Sequence, residues 1–263
     1  MTKENKIKIS IKNDSCFNYL KNIKSNSIDL ILIDPPYEVS RDTNFAKCEP
    51  KGNNTDRFRM SMEFGDWDKN FTGLDIVIQE CYRILKKGGT LICFYDLWKI
   101  TILKEYFEQA KFKQLRFIEW IKTNPVPINS KTNYLTNSRE IAILGVKQGK
   151  PTYHSEYDNG IYDNDYGCEE YDTNGEIYKF PICHDKGRFH PTQKPLGLIK
   201  ELIEKHSNEN DIVLDCFLGS GTTAIASILT NRNFCGCEIS NEFYPKIVDR
   251  INDYKEVIDL IEE

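Results

Sequence analysis

Asp29-Leu30-Ile31-Leu32-Ile33-Asp34 is an unbroken aliphatic run between two acids, and Pro35-Pro36-Tyr37 follows it directly. An apolar run without polar alternation marks a strand covered on both faces, as in parallel sheets. Neither proline can donate to a ladder, so the strand ends at Asp34. Ligands of open α/β sheets bind at the carboxyl ends of strands, which is where Asp34 stands. Strand termination alone asks for neither an acid before the prolines nor an aromatic after them. A carboxylate closing an apolar strand is costly unless it is used. Asp34, Pro35, Pro36 and Tyr37 are therefore the first candidate catalytic residues.

This tetrad suits attack by an aromatic amine. The lone pair of such an amine is delocalised into its ring, which makes it a poor nucleophile. The Asp34 carboxylate and the Pro35 carbonyl can each accept one of its N–H groups. Two acceptors on one nitrogen favour a tetrahedral geometry and free the lone pair, while Tyr37 can stack on the ring. The catalysis is positioning and electrostatics, with no covalent intermediate.

Outward from this strand, short β-branched runs alternate with helical periods. Lys6 to Ile11 alternates with period two and predicts a strand. Ser15 to Lys24 predicts a helix, as does Leu74 to Leu85, which Lys86-Lys87-Gly88-Gly89 is expected to terminate. Thr90 to Tyr95 predicts a strand and Trp98 to Ala110 a helix. Leu115 to Ile121 and Glu140 to Val146 predict two strands with no helix between them, so they can pair antiparallel at the sheet edge. Helix over Pro195 to His206, strand over Asp211 to Cys216, helix over Gly221 to Leu229 and strand over Asn233 to Cys237 follow. Asn241 to about Ile261 is expected to close the chain as a helix. The alternation implies an α/β fold, a mostly parallel sheet of seven strands with helices on both faces.

Two stretches break the alternation. Val39 to Asn70 is polar and too long for an ordinary connection, which marks a functional loop. Gly149 to Phe189 is acidic, rich in tyrosine and without a period, and reads as a small insert.

Asp215-Cys216-Phe217-Leu218-Gly219-Ser220-Gly221-Thr222-Thr223 joins a strand to a helix. Its glycines allow a tight turn and close approach of a ligand. Glu238 ends the following strand, where an acid grips ribose hydroxyls in nucleoside-binding sheets. No Gly-Lys-Ser/Thr follows, and the spacing departs from the dinucleotide fingerprint. A nucleoside ligand without pyrophosphate fits better, with S-adenosylmethionine the first candidate. His190-Pro191-Thr192-Gln193-Lys194-Pro195 opens the preceding helix, with Pro195 suited to its first turn. Read alone, it is an ordinary helix-opening turn.

The 263 residues suffice for one large domain, or a domain with an insert. No apolar run approaches the ~20 residues of a membrane span, so no membrane partner is expected. Met1 to Asn5 has charge but no apolar stretch behind it, which predicts no signal peptide and a cytoplasmic location. The nine cysteines lack paired spacing and are expected as reduced thiols. Cys235-x-Cys237, Cys183-His184 and His190 lack zinc-finger spacing, so no metal is expected. A net charge of −5 argues against coating nucleic acid by bulk charge, without excluding a local basic groove.

Asp34-Pro-Pro-Tyr37 together with Asp215-x-Phe217-x-Gly219-Ser-Gly221-Thr-Thr resembles the amino-methyltransferases of DNA. The order of tetrad, insert, His190-Pro-Thr-Gln-Lys-Pro195 and glycine motif resembles their beta class. The resemblance implies a circularly permuted seven-stranded Rossmann-like methyltransferase sheet, mostly parallel with an antiparallel edge strand. In it the N-terminal strand is the family's third and the last two are its first and second. Residues 1–148 and 186–263 are expected to form the catalytic domain, and 149–185 an inserted target-recognition segment.

The resemblance further implies that Asp34, Pro35 and Tyr37 hold a flipped-out base. Asp34, Asp215, Phe217, Gly219, Ser220, Gly221, Thr222 and Thr223 are implied to line the S-adenosylmethionine pocket, with Glu238 on the ribose. Asp14 is carried over to the adenine, although Asn13 replaces the family's usual glycine, and Lys194 to the methionine end. Asp before the prolines is more typical of adenine-N6 chemistry and Ser of cytosine-N4.

Flipping a base costs a few kcal/mol, which phosphate contacts must recover. Lys111 to Lys150 carries roughly +6, a candidate phosphate-facing strip. Lys122, Asn124, Lys131 and Arg139 are its candidate DNA contacts. Pro151 to Asp185 carries about −8, which repels phosphate. Its tyrosines can stack on a base or pack against a second subunit.

The reading is a DNA methyltransferase acting on adenine N6 within double-stranded DNA. A homodimer and a cognate restriction endonuclease are candidate partners. Cytosine-N4 methylation and a non-catalytic nucleic-acid-binding subunit are the alternatives.

Overall fold

The computed structural model describes residues 6–37, 71–125, 138–154, 177–183, 189–190 and 192–262. Among them, one sheet of nine strands runs in the order β6-β4-β5-β3-β2-β7-β8-β1-β9. The strands are β1 (Ile7–Asn13), β2 (Ile28–Ile33), β3 (Leu85–Tyr95), β4 (Lys113–Lys122) and β5 (Arg139–Val146), then β6 (Ile177–Phe180), β7 (Ile212–Asp215), β8 (Asn233–Glu238) and β9 (Ile258–Glu262). The helices are α1 (Cys16–Asn22), α2 (Leu74–Ile84), α3 (Ile100–Gln109), α4 (Leu196–His206), α5 (Thr222–Leu229) and α6 (Phe243–Asn252).

The apolar run of β2 explains the two-layer cover. Leu30 and Leu32 point into a cluster with Leu198, Leu202, Ile225 and Ile247 from α4, α5 and α6. Ile31 and Ile33 point the other way, into a cluster with Leu20, Val77, Ile78 and Leu103 from α1, α2 and α3. Alternate side chains of a strand face opposite sides, so a strand lying between two helical layers must be apolar at every position.

The expected permutation is present. β8 lies between β1 and β7, with all three parallel, and β7 pairs in parallel with β2. β5 is antiparallel to both β3 and β4. It is not at the edge, however, because β4 lies outside it and β6 pairs in parallel outside β4.

Three expectations change. The chain does not close as one helix. α6 ends at Asn252 and β9 pairs in parallel with β1. An uncovered β1 would leave a row of unpaired backbone groups, and Ile258, 3% exposed, fills that edge. Lys86-Lys87-Gly88-Gly89 does not form a stop after a helix but belongs to β3, where the pairing with β2 shifts between Ile28 and Leu30. Gly88 takes φ +84° and donates its N–H to Lys147 O at 2.7 Å. A glycine pair serves an irregular strand start as readily as it ends a helix. The seven expected strands become nine because β6 and β9, four and five residues long, were too short to show a period.

No helix among the described residues is long and apolar enough to cross a membrane. The loop 39–70 and most of the expected insert, residues 155–176, lie outside the described residues.

Candidate active site

A cleft of about 190 Å³ opens at the carboxyl ends of β2, β7 and β8. Asp34, Pro35, Pro36, Tyr37, Lys194, Phe217, Gly219 and Glu238 line it, so both motif regions meet there. A smaller cavity of about 50 Å³ adjoins it, sharing Asp34, Lys194, Phe217 and Gly219 and adding Asp215, Ser220, Thr222 and Thr223. Gly221 lines neither cavity. It takes φ +74° at the start of α5, and a Cβ there would lie 2.8 Å from Ile247. Its role is to turn the chain.

The tetrad is held by side chains. Tyr37 donates its hydroxyl proton to Asp34 Oδ1 at 2.7 Å, and its ring meets Tyr95 edge-on at 5.7 Å. Lys194 donates to Asp34 Oδ2. Burial, with Asp34 close by, raises the Tyr37 phenol well above its ordinary value, so it stays a donor.

The glycine loop is held differently. Glu238 accepts the Gly219 N–H at 2.7 Å and the Ser240 N–H at 2.9 Å. Burial pushes its carboxyl up, against those bonds. Asp215 accepts the Phe217 N–H at 2.9 Å and the Thr223 hydroxyl at 2.7 Å. Burial pushes it up to about 7, with Thr223 and Phe217 opposing. Gly219, at φ +54°, leaves a Cβ position 3.3 Å from the His190 ring.

These residues fit an adenosyl group. Phe217 and Phe71 meet edge-on at 5.4 Å, and Phe71 stacks on Phe17 at 6.0 Å. All three rings line the cleft with Glu238. An apolar aromatic wall beside a buried carboxylate suits a base and its ribose hydroxyls. Asp14 is not among the lining residues. Its carboxylate accepts the Ser15 N–H at 2.7 Å and the Asn18 amide at 3.3 Å, at the start of α1.

The basic residues from Lys111 to Lys150 do not form one strip. Ile121 pairs with Arg139, but Lys113 pairs with Val146. The two ends of this ribbon are about 25 Å apart at ~3.3 Å per residue. Antiparallel pairing therefore sends Lys113, Arg116 and Lys147 to the sheet edge opposite Asp34, and leaves Lys122 and Arg139 on its side. Lys122 is paired with Glu140 at 2.8 Å and Arg139 with Glu119 at 2.8 Å. Asn124 accepts the Ile182 N–H at 2.7 Å. Lys131 lies outside the described residues.

The sequence reading passed over Glu140, which lines the cleft. Its two ion pairs, to Lys122 and to Lys194 at 3.0 Å, tie β4 and β5 to the tetrad. The signal was present. In a strand antiparallel to its neighbours, the first residues stand at the carboxyl edge of the others, beside Asp34. His190 and Thr192, from the helix-opening turn, also line the cleft.

Burial pushes the thiols of Cys16 and Cys235 up to about 12, which makes these two poor nucleophiles.

The DNA methylase family of N6/N4 methyltransferases matches residues 28–249. A type II methyltransferase of Moraxella bovis, M2.MboI, is 32% identical over 244 residues, covering 89% of this chain and 84% of its own. M2.DpnII of Streptococcus pneumoniae, also a type II methyltransferase, is 33% identical over 247 residues, covering 91% and 88%. The crystal structure of the M1.HpyAVI–SAM complex superposes with a TM-score of 0.62 at 28% identity, covering 92% of this chain and 99% of that one. The PvuII cytosine-N4-specific DNA methyltransferase shares the fold, with a TM-score of 0.65 at 14% identity.

Proposed function

Because the chain belongs to the N6/N4 DNA methylase family, we propose that its cleft methylates the exocyclic N6 of a flipped-out adenine in a specific DNA sequence. The protein is a DNA methyltransferase that acts on an amino group of a base and uses S-adenosylmethionine. The observation that carries the adenine reading is the carboxylate of Asp34 at the end of β2, in one cleft with Glu238 and Gly219.

S-adenosylmethionine supplies, when bound, an electrophilic methyl group on a sulfonium. Phe17, Phe71 and Phe217 would wall its base, and Glu238 would accept from its ribose hydroxyls. Gly219 would let the backbone come close, while Lys194, the candidate for the methionine end, is held by Asp34 and Glu140. Asp34 and the Pro35 carbonyl accept the two N–H groups of the target amine and turn its lone pair into the cleft. As the nitrogen gains positive charge, the Asp34 carboxylate stabilises it. Tyr37 is the stacking partner of the extruded base, and Lys122, Asn124, Lys131 and Arg139 are the candidate DNA contacts.

The test is expression in a methylation-deficient host, then single-molecule sequencing of its DNA. The expected result is N6-methyladenine at one recurring motif, lost with Asp34→Ala. N4-methylcytosine instead would overturn the adenine assignment. No mark, with no S-adenosylmethionine binding by calorimetry, would leave a non-catalytic nucleic-acid-binding subunit.

A further inference from the structure

Lys194 is shared between two carboxylates, and the sequence motifs account for only one of them. Its ammonium hydrogen-bonds Asp34 Oδ2 and lies 3.0 Å from Glu140 Oε2. That Glu140 oxygen is buried, with the Lys194 ammonium at ion-pair distance. Glu140 Oε1 is held by Lys122 at 2.8 Å. Asp34 is thus engaged on both oxygens, by Lys194 and by Tyr37, while Glu140 Oε2 faces the same ammonium.

This arrangement is unsuited to methyl transfer as it stands. An incoming amine needs an acceptor on Asp34, and its nitrogen becomes positive as the methyl arrives. An ammonium on that carboxylate opposes both requirements. Withdrawal of Lys194 into solvent is blocked, because its side chain is only 8% exposed and its head lies over the Phe94 ring at 5.1 Å.

We propose that Glu140 is a positioning residue for the transfer step: it takes Lys194 away from Asp34 when the target amine arrives. The exchange needs only a small rotation of Lys194 toward Glu140 Oε2, and the ammonium keeps a counter-ion throughout. This inference rests on the amino-group reading of the cleft. The protonation states agree with it. Burial alone would lower Lys194, but Asp34 and Glu140 hold it above its usual range. Burial alone would raise Glu140, but Lys194 and Lys122 hold it below its ordinary value. The other titratable groups on the two cavities are Cys16, Tyr37, His190, Asp215, Cys216 and Glu238.

Glu140→Gln keeps the shape of the side chain and removes its charge. The assay is single-turnover transfer of tritiated methyl from S-adenosylmethionine to unmethylated genomic DNA by the full-length protein. We expect the rate at saturating cofactor to fall about 30-fold while the cofactor Kd stays within about threefold. In a Lys194→Met background the same substitution should cost less than about threefold, because no ammonium remains to be moved. In the single Gln variant, Lys194 has one anion fewer and loses its proton at lower pH. The gap from wild type should therefore narrow as pH is raised, and this decides the matter if Lys194→Met is below detection. A Gln variant within twofold of wild type overturns the proposal. So do equal losses in both backgrounds with a pH-independent gap, which is the signature of a structural contact. A wild-type protein that neither binds the cofactor nor transfers methyl fails earlier, at the reading of the cleft itself.

Discussion

The two ends of the cleft hold their carboxylates in opposite ways. At the tetrad end, both partners of Asp34 among the described residues are side chains, the Tyr37 hydroxyl and the Lys194 ammonium. At the glycine-loop end, Glu238 is held by the backbone N–H groups of Gly219 and Ser240. Side-chain partners rotate away at small cost. Backbone donors in a turn set by two residues at positive φ, Gly219 and Gly221, move only if the turn opens. The difference matches the two tasks. An amine must displace what holds Asp34, whereas a ribose need only add to what holds Glu238.

Asp34→Asn tests the exchangeable end and should have the largest effect. The variant offers one acceptor where the carboxylate offers two, and it lacks the charge that favours a positive nitrogen. The single-turnover transfer rate should fall about 10³-fold, comparable to loss of a preorganised electrostatic partner, with the cofactor Kd changed less than about threefold. A loss that appears in cofactor affinity would break the division between the two ends.

Glu238→Gln tests the fixed end. Its expected effect is a cofactor Kd about 30-fold weaker by calorimetry, the scale of a hydrogen bond to a charged group. The rate at saturating cofactor should stay within about threefold of wild type. A rate that falls with affinity unchanged would mean that Glu238 acts on the reacting end.

How far these ends could be read from sequence depends on whether a residue's role is local. Asp34 was legible because an acid at the close of a buried apolar strand is costly anywhere. The glycine loop and Glu238 were legible because turn, strand end and acid follow one another along the chain. Glu140 was legible only through the predicted antiparallel pairing, since its place beside Lys194 depends on β5 running against β3 and on the distant turn before α4. The basic strip failed for the same reason. Charges continuous along Lys111 to Lys150 are divided between two sheet edges by the β4–β5 pairing. β6 and β9 owe their strand form to a neighbour's unpaired edge, which no local pattern records.

Asp215 sharpens the comparison with the smallest effect, because it stands between the two ends. It is bound by one backbone donor, Phe217 N–H, and one side-chain donor, the Thr223 hydroxyl. Burial raises it from an ordinary 3.8 to about 7. Across that window the folded protein keeps a proton that the unfolded chain has lost, so stability falls as pH rises. The contribution is fully present below about pH 4 and gone above about pH 7. Asp215→Asn has no proton to lose and keeps the volume. Its unfolding free energy in urea should gain on wild type between about pH 6 and about pH 8, by roughly 1–2 kcal/mol at 1.36 kcal/mol per pH unit. That result would make the glycine-loop end a place where the fold tolerates a costly buried acid in exchange for a fixed geometry. A gap identical at both pH values would mean that Phe217 and Thr223 keep Asp215 ionised. Its hold would then resemble that of Glu238, and the exchangeable character of the cleft would be confined to Asp34 and the two side chains on it.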